Sequence, residues 1–416
     1  MRAIDERWPD KVNGGIPVQR EASSAFEEAV GRLNALYFFS EFTFSTNTFK
    51  PNPADELELA DKVVWLDDLL ILSQIKERNA PQDTTAAKEE KWFREEVLKH
   101  ATRQIRNTLT YLKTYPNIEL SNNRGDPFNL AEAQVAQTHK LVIYNPHPLL
   151  PVECARKKFH QSKTAGANMH LIHARAYLDI LRTLITPVEI AEYLAFRESL
   201  LGAWGTDALA EVNEKALVGQ YLRNLPDEKP HASFERFVDE LNAQSDEWDI
   251  SKMIHLFPER QTTPNARKET GYTVLRALAK LYRTDMAQFK QRFKLSMEKA
   301  IADADCKPYR FMASNGCGFV FIPLQRKDLQ RRVALLMAFT EMCKYDLRLE
   351  KCIGLTFIAE GNEDWCDVQW CPIIAPWKEN AVLQSRLDEF KPFRPVKEHR
   401  VERYGLRPAQ DSETGE

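Results

Sequence analysis

Asp61 to Lys76 reads DKVVWLDDLLILSQIK, and the pattern of this stretch decides the fold. Two apolar runs rich in β-formers, Asp61 to Leu66 and Leu69 to Lys76, are joined at Asp67 and Asp68, which predicts a β-hairpin. A two-residue turn would fix the partners. Leu66 opposes Leu69, Trp65 meets Leu70, Val64 meets Ile71, Val63 meets Leu72, Lys62 meets Ser73, and Asp61 meets Gln74. Opposed residues share a sheet face, and alternation brings Lys76 to the face of Gln74. A carboxylate, an amide and an ammonium therefore converge at one end of the hairpin. The Asp61 and Gln74 Cβ atoms would lie about 5 Å apart, close enough for two oxygens to hold one divalent ion. The rest of that face, Val63, Trp65, Leu70 and Leu72, is core material. Asp-Asp is not the favoured Asn-Gly turn, so a longer loop with a shifted register stays open.

Outward from the hairpin the chain alternates between helical and strand periods. Ser23 to Tyr37 carries Phe26, Val30, Leu33 and Tyr37 at helical spacing behind cap-like serines. KPNPADE, residues 50–56, reads as a loop. From Lys88 to Lys113, the residues Phe93, Val97, Ala101, Ile105 and Leu109 form one apolar stripe, which predicts a long surface helix. Short strands are expected at Asn117 to Leu120, Lys140 to Tyr144 and Met169 to Ile172. A helix then opens at Thr186-Pro187-Val188-Glu189, with a capping box and Pro in its first turn. This is an α/β plan.

The expected division has four parts. Residues 1–201 form a domain with a mixed sheet flanked by helices, 202–304 a helical connector or domain, 305–395 a small α+β module, and 396–416 a charged, mobile tail. Within the third part the strands are Tyr309 to Ala313, Gly318 to Pro323, Cys352 to Ala359 and Asp367 to Ile374, with a helix from Asp328 to Lys344.

At the hairpin, ELELAD, a hydrophobic strand and SQIK together resemble the PD-(D/E)XK nuclease superfamily in its QxK, Mrr-like variant. The resemblance covers roughly the first half of the chain. It implies a restriction-endonuclease-like fold and a Mg²⁺- or Mn²⁺-dependent endonuclease acting on DNA, with a role in defence against foreign DNA. Asp61 takes the place of the motif's Asp, Gln74 stands in the acidic slot, and Lys76 is its Lys. Glu27 or Glu28 on the preceding helix would complete the metal shell, and Gln104 in RQI is a residue type such nucleases carry on the following helix. The implied metal ligands are Asp61, Gln74, the Ile75 carbonyl and Glu27, with Glu56 and Glu58 as further candidates. Gln in place of an acid leaves the site one negative charge poorer, and a degenerate nuclease that grips nucleic acid or a partner without cutting is the alternative.

Bulk composition narrows the field. A formal charge of −3 over 416 residues excludes a chain coated in positive charge, so contact with nucleic acid must be local. Candidate basic segments are Ala155 to Lys163, Gln325 to Arg332, and Lys91, Arg94, Lys99, Arg103 and Arg106 on the long helix, each of which also reads as a solvated face. No apolar run approaches a bilayer span, and MRAIDERWPD carries charges where a signal peptide has its apolar stretch, so a soluble, cytoplasmic protein is expected. The cysteines, clustered late in the chain without a CxxC pair, read as reduced and mostly buried thiols. His170 and His173 in MHLIHA read as structural because no third ligand stands near in sequence. GCGF, residues 316–319, lacks the remaining features of a dinucleotide loop. The last third is a candidate surface for a partner or for a second copy in a homodimer. Trp365, Trp370 and Trp377 there read as contact or packing residues.

Overall fold

The computed structural model describes residues 24–52, 55–79, 83–133, 135, 137–162, 167–243, 248–250, 268–359 and 366–394. Helix α1 (Ala25–Tyr37) starts at Ser24, whose hydroxyl accepts the Glu27 N–H at 3.1 Å. Two short strands follow, β1 (Thr43–Phe44) and β2 (Thr48–Asn52). The next, β3 (Asp55–Glu58), pairs antiparallel with β2, so the segment 50–56 expected as a loop is mostly an arm of two strands. Strands β4 (Lys62–Leu66) and β5 (Leu69–Glu77) form the hairpin in the register expected, from Lys62 opposite Ser73 to Leu66 opposite Leu69.

The Asp-Asp turn keeps its two residues because the chain supplies external support. Asp67 adopts φ 51, a left-handed conformation that Asp tolerates better than most residues. Its carboxylate lies 3.2 Å from Arg276 Nε and 2.7 Å from Lys280 Nζ, more than 200 residues further along the chain. Its carbonyl accepts from Trp65 Nε1 at 3.0 Å.

After the hairpin, helix α2 (Ala86–Trp92) passes through a π-helical stretch, Phe93–His100, into α3 (Ala101–Thr114). Strands β6 (Glu119–Ser121) and β7 (Pro127–Asn129) make a small arm, and β8 (Gln137–Asn145) returns parallel to β5. After the single turn α4 (Val152–Ala155), strands β9 (Phe159–Ser162) and β10 (Ala167–His173) complete a six-stranded mixed sheet ordered β1-β4-β5-β8-β10-β9. Helices α5 (Ala174–Leu184), α6 (Pro187–Ala210), α7 (Glu214–Leu222) and α8 (Glu235–Asn242) follow.

The hairpin's alternation sends its side chains to two different cores. Val64, Leu69, Ile71 and Ile75 pack with α1 and with α5 to α8, whereas Val63, Leu70 and Leu72 pack with Phe44, Phe49, Leu59, Ile118 and Leu120. The apolar stripe of Phe93, Val97, Ala101 and Ile105 covers Val142 and Tyr144 of β8 and Met169 and Leu171 of β10. Each large apolar side chain buried in this way contributes about 1.5–3 kcal/mol.

The expected boundary at 201/202 falls inside α6, which runs on to a kink at Gly205 (φ 74, ψ 177). Leu209, Leu217, Val238 and Leu241 join the core of the first sheet. Helices α9 (Lys268–Ala279) and α10 (Arg283–Ile301) instead lie on a second sheet, so the expected helical connector is divided between two cores. The two helices are separated at residues 280–282, where Tyr282 caps α10.

The second sheet consists of β11 (Tyr309–Met312), β12 (Cys317–Pro323), β13 (Lys351–Ala359) and β14 (Cys366–Ile374), in that order. Helix α11 (Arg332–Asp346) lies between β12 and β13 in sequence, and α12 (Ala381–Phe390) closes the described chain. Gly316, at φ 75, makes the turn between β11 and β12, which is the local reason for a glycine in GCGF. At Gly354 a Cβ would come within 1.8 Å of Thr340 Oγ1, so this glycine lets α11 sit against β13. Trp370 stacks on Phe289 at 6.1 Å, and Trp377 donates to the Tyr345 carbonyl at 3.0 Å, so both serve packing. Trp365 and the 396–416 tail lie outside the described residues.

Candidate active site

Asp61 sits in the bend that leads into β4, and that bend is pinned on several sides. The Asn47 amide donates to the carbonyls of Phe44 (3.0 Å), Ala60 (2.9 Å) and Asp61 (3.2 Å), and Thr108 Oγ1 donates to the Leu59 carbonyl. The Asp61 carboxylate then reaches across the end of the hairpin, where Oδ2 accepts the Ile75 N–H at 2.6 Å. The N–H and C=O of one strand residue point to the same side, so the Ile75 carbonyl also faces the gap left where β4 begins.

Gln74 and Lys76 project from β5 to the face of Asp61, as alternation requires, and α3 covers them. Lys76 Nζ donates to Gln104 Oε1 at 2.7 Å. The buried Gln74 amide lies between Gln104 and Asp61. With its nitrogen inward it donates to Gln104 Oε1 at 2.9 Å and to the Asp61 oxygens at 3.2 and 3.3 Å. With its oxygen inward, the amide faces only acceptor oxygens, an arrangement that a cation would relieve. Three residues singled out in the sequence, Asp61, Gln74 and Lys76, are thus brought together with Gln104.

Electrostatics single out Asp61. Burial pushes its carboxyl up to about 6; Lys76 and the Ile75 N–H pull it down, while Glu58 and Glu27 add to the rise. A half-buried carboxylate left under this strain is a group that gains from a cation. Glu58, at the end of β3, is thereby close enough for its charge to be felt, while Glu56 lies exposed on the same strand.

Glu27 is not free to join the cluster. Its Oε1 lies 2.5 Å from Lys62 Nζ, on the sheet face opposite Asp61 and Gln74. Glu28, the second helix candidate, is engaged at 3.8 Å with Arg32 on the surface.

A second cluster was only half visible in the sequence. His139, His170 and Glu198 place ligand-type atoms within 4.8 Å of one another on the other face of the sheet. His170 Nε2 lies 2.9 Å from Glu198 Oε1, and His139 Nδ1 approaches the same oxygen to 3.6 Å. Arg197 Nη1 lies 2.9 Å from His170 Nδ1. Because a guanidinium can only donate, Nδ1 accepts, and the ring's proton resides on Nε2 and is given to Glu198. That proton occupies the nitrogen a metal would need. Burial, reinforced by the Arg197 charge, lowers His170 to about 4, so the ring is neutral near pH 7. His173 caps α5 by accepting the Arg175 N–H at 3.1 Å. His170 and His173 thus have structural work, and only the parity of His139 with His170 on adjacent strands would have pointed to the third member.

The basic segments separate on inspection. Lys158 pairs with Glu214 at 3.7 Å, and Arg332 is buried against Thr356 and Asp367. Lys99 and Arg94 share Glu95, whereas Arg103 and Arg106 are exposed on α3, the helix that carries Gln104. No helix among the described residues is long and apolar enough to cross a membrane.

Comparison with protein-family models, with curated proteins and with solved structures finds no match. The chemistry of the cluster is therefore read from its own geometry.

Proposed function

We propose that the chain is a metal-dependent nuclease with a restriction-endonuclease-like core, hydrolysing DNA phosphodiester bonds at Asp61, Gln74 and Lys76. The observation that carries the reading is the meeting of a strained carboxylate, an amide and an ammonium around Gln104 Oε1 at the mouth of one hairpin. The order of elements supports it as well: a helix bearing Glu27, a hairpin bearing Asp61 and QxK, then a helix with exposed basic residues.

Asp61, the Gln74 oxygen and the Ile75 carbonyl are hard oxygen donors, which suit Mg²⁺ or Mn²⁺ better than a softer metal. Such an ion, when bound, supplies charge that polarises a phosphodiester and lowers the pKa of a bound water. Gln74 turns its oxygen inward to take part. Lys76, held by Gln104, presents a fixed positive charge to the negative charge that develops on the phosphate and orients the attacking water. Arg103 and Arg106 offer backbone contacts to the nucleic acid on the same helix.

A binding-only reading is favoured by one feature, the ability of Gln74 to satisfy Asp61 and Gln104 with its own nitrogen and no ion. Incubation of the protein with plasmid DNA and Mg²⁺ or Mn²⁺ separates the two. Cleavage by the wild type that is lost in Lys76→Ala supports the nuclease; salt-sensitive binding without cleavage supports the alternative; equal cleavage by Lys76→Ala removes the proposed site.

A further inference from the structure

We infer that Lys62 takes the place of a second cation beside Glu27, so that the centre built on Asp61 holds a single divalent ion. The inference rests on the proposed reading of that centre and refines it by assigning Glu27 to a built-in ammonium rather than to metal.

Lys62 is placed for this by strand alternation. It stands next to Asp61 in sequence yet faces the other side of the sheet, opposite Ser73, towards α1. Its side chain is only 5% exposed, and Glu27 is its ion-pair partner at 2.5 Å. The stem runs through a slot that α1 leaves open at Gly31, where an added Cβ would lie 3.2 Å from Lys62 Cε and 3.3 Å from Ser45 Oγ. A larger residue at 31 would press on that stem, so the ammonium is delivered to Glu27 by packing as well as by charge.

For Glu27 to ligate an ion it would have to abandon Lys62, leaving a buried ammonium without a partner and bringing a divalent charge close to it. Both changes oppose a second ion. The fixed ammonium already balances Glu27, whose charge otherwise adds to the burden on Asp61. A permanent cation on one sheet face and an exchangeable one on the other divide the work between them.

Mn²⁺ binding to the full chain, counted by calorimetry and by the paramagnetic signal of free Mn²⁺, tests the inference. The count used is the number of ions lost on Asp61→Asn, which removes any contribution from His139, His170 and Glu198. One such ion is expected in the wild type. The double variant Glu27→Gln with Lys62→Met removes both charges together and leaves no buried ammonium stranded. It is expected to keep that ion with affinity within about threefold of wild type. Two Asp61-dependent ions in the wild type, or a tenfold or greater loss of affinity in the double variant (about 1.4 kcal/mol), would overturn the inference while leaving the nuclease reading intact. No Asp61-dependent ion at all would overturn both.

Discussion

Asp61 Oδ2 accepts the Ile75 N–H at 2.6 Å across the open end of the hairpin, and this bond ties a carboxylate that burial has made hard to ionise to a fixed point on β5. The group is held where ionisation is costly. Several measurable consequences come from that arrangement.

The first concerns pH and stability without added metal. The folded Asp61 carboxyl keeps its proton up to about 6, against 3.8 for an ordinary one. Between those values the folded state binds more protons than the unfolded state, so this group's contribution to stability falls as pH rises through the window. Asp61→Asn is therefore expected to raise the melting temperature of the metal-free protein above pH 6, by an amount worth on the order of 1–3 kcal/mol. The gain should fade as pH is lowered towards 3.8. Thermal melts of the two proteins across pH check this; an Asn variant less stable at every pH would contradict it.

Activity should show the opposite dependence, because only the ionised carboxylate ligates a cation. Cleavage at limiting Mg²⁺ is expected to decline as pH drops through about 6, and saturating Mg²⁺ should shift the midpoint lower by competing with the proton. A midpoint insensitive to Mg²⁺ concentration would count against Asp61 as a ligand.

Lys76→Met keeps the length of the stem and removes the charge. Loss of a preorganised electrostatic donor of this kind costs about 10²–10³-fold in rate. Cleavage should fall by that order while Mn²⁺ affinity is retained or rises slightly, since the variant removes a positive neighbour. Gln104→Leu, which withdraws the acceptor that holds Lys76, is expected to weaken cleavage less.

Glu189 and Arg283, 94 residues apart and both buried, join the start of α6 to the start of α10 through hydrogen bonds of 2.9 Å from the Arg283 N–H and 3.1 Å from its Nε. Replacing Glu189 by Gln strands the guanidinium and is expected to cost about 3–5 kcal/mol. Denaturant unfolding measures this, and a change below about 1 kcal/mol would show the pair to be dispensable.

Much of the site's frame was legible because it rests on local periodicity. Alternation in DKVVWL and LLILSQIK fixed the partners from Lys62 to Leu66, and the four-residue stripe located the helix that carries Gln104. What escaped the sequence depends on distant chain segments. The turn at Asp67 is secured by Arg276 and Lys280, and the Asp61 bend by Asn47 and Thr108. The arm of β2 and β3 was hidden because Pro51 and Pro53 interrupt any strand pattern. The partner of Glu27 was hidden for a similar reason. Helical spacing places it near the hairpin, but only the strand's facing reveals that Lys62, not Asp61, lies opposite it.

Crystals of the full chain soaked in Mn²⁺, with data collected where manganese scatters anomalously, give the most direct test of the proposed centre. An anomalous peak touching an Asp61 oxygen and the Gln74 side-chain oxygen is expected, with the Gln74 amide turned to present that oxygen. Manganese absent from that place, or bound only between His139, His170 and Glu198, would contradict it.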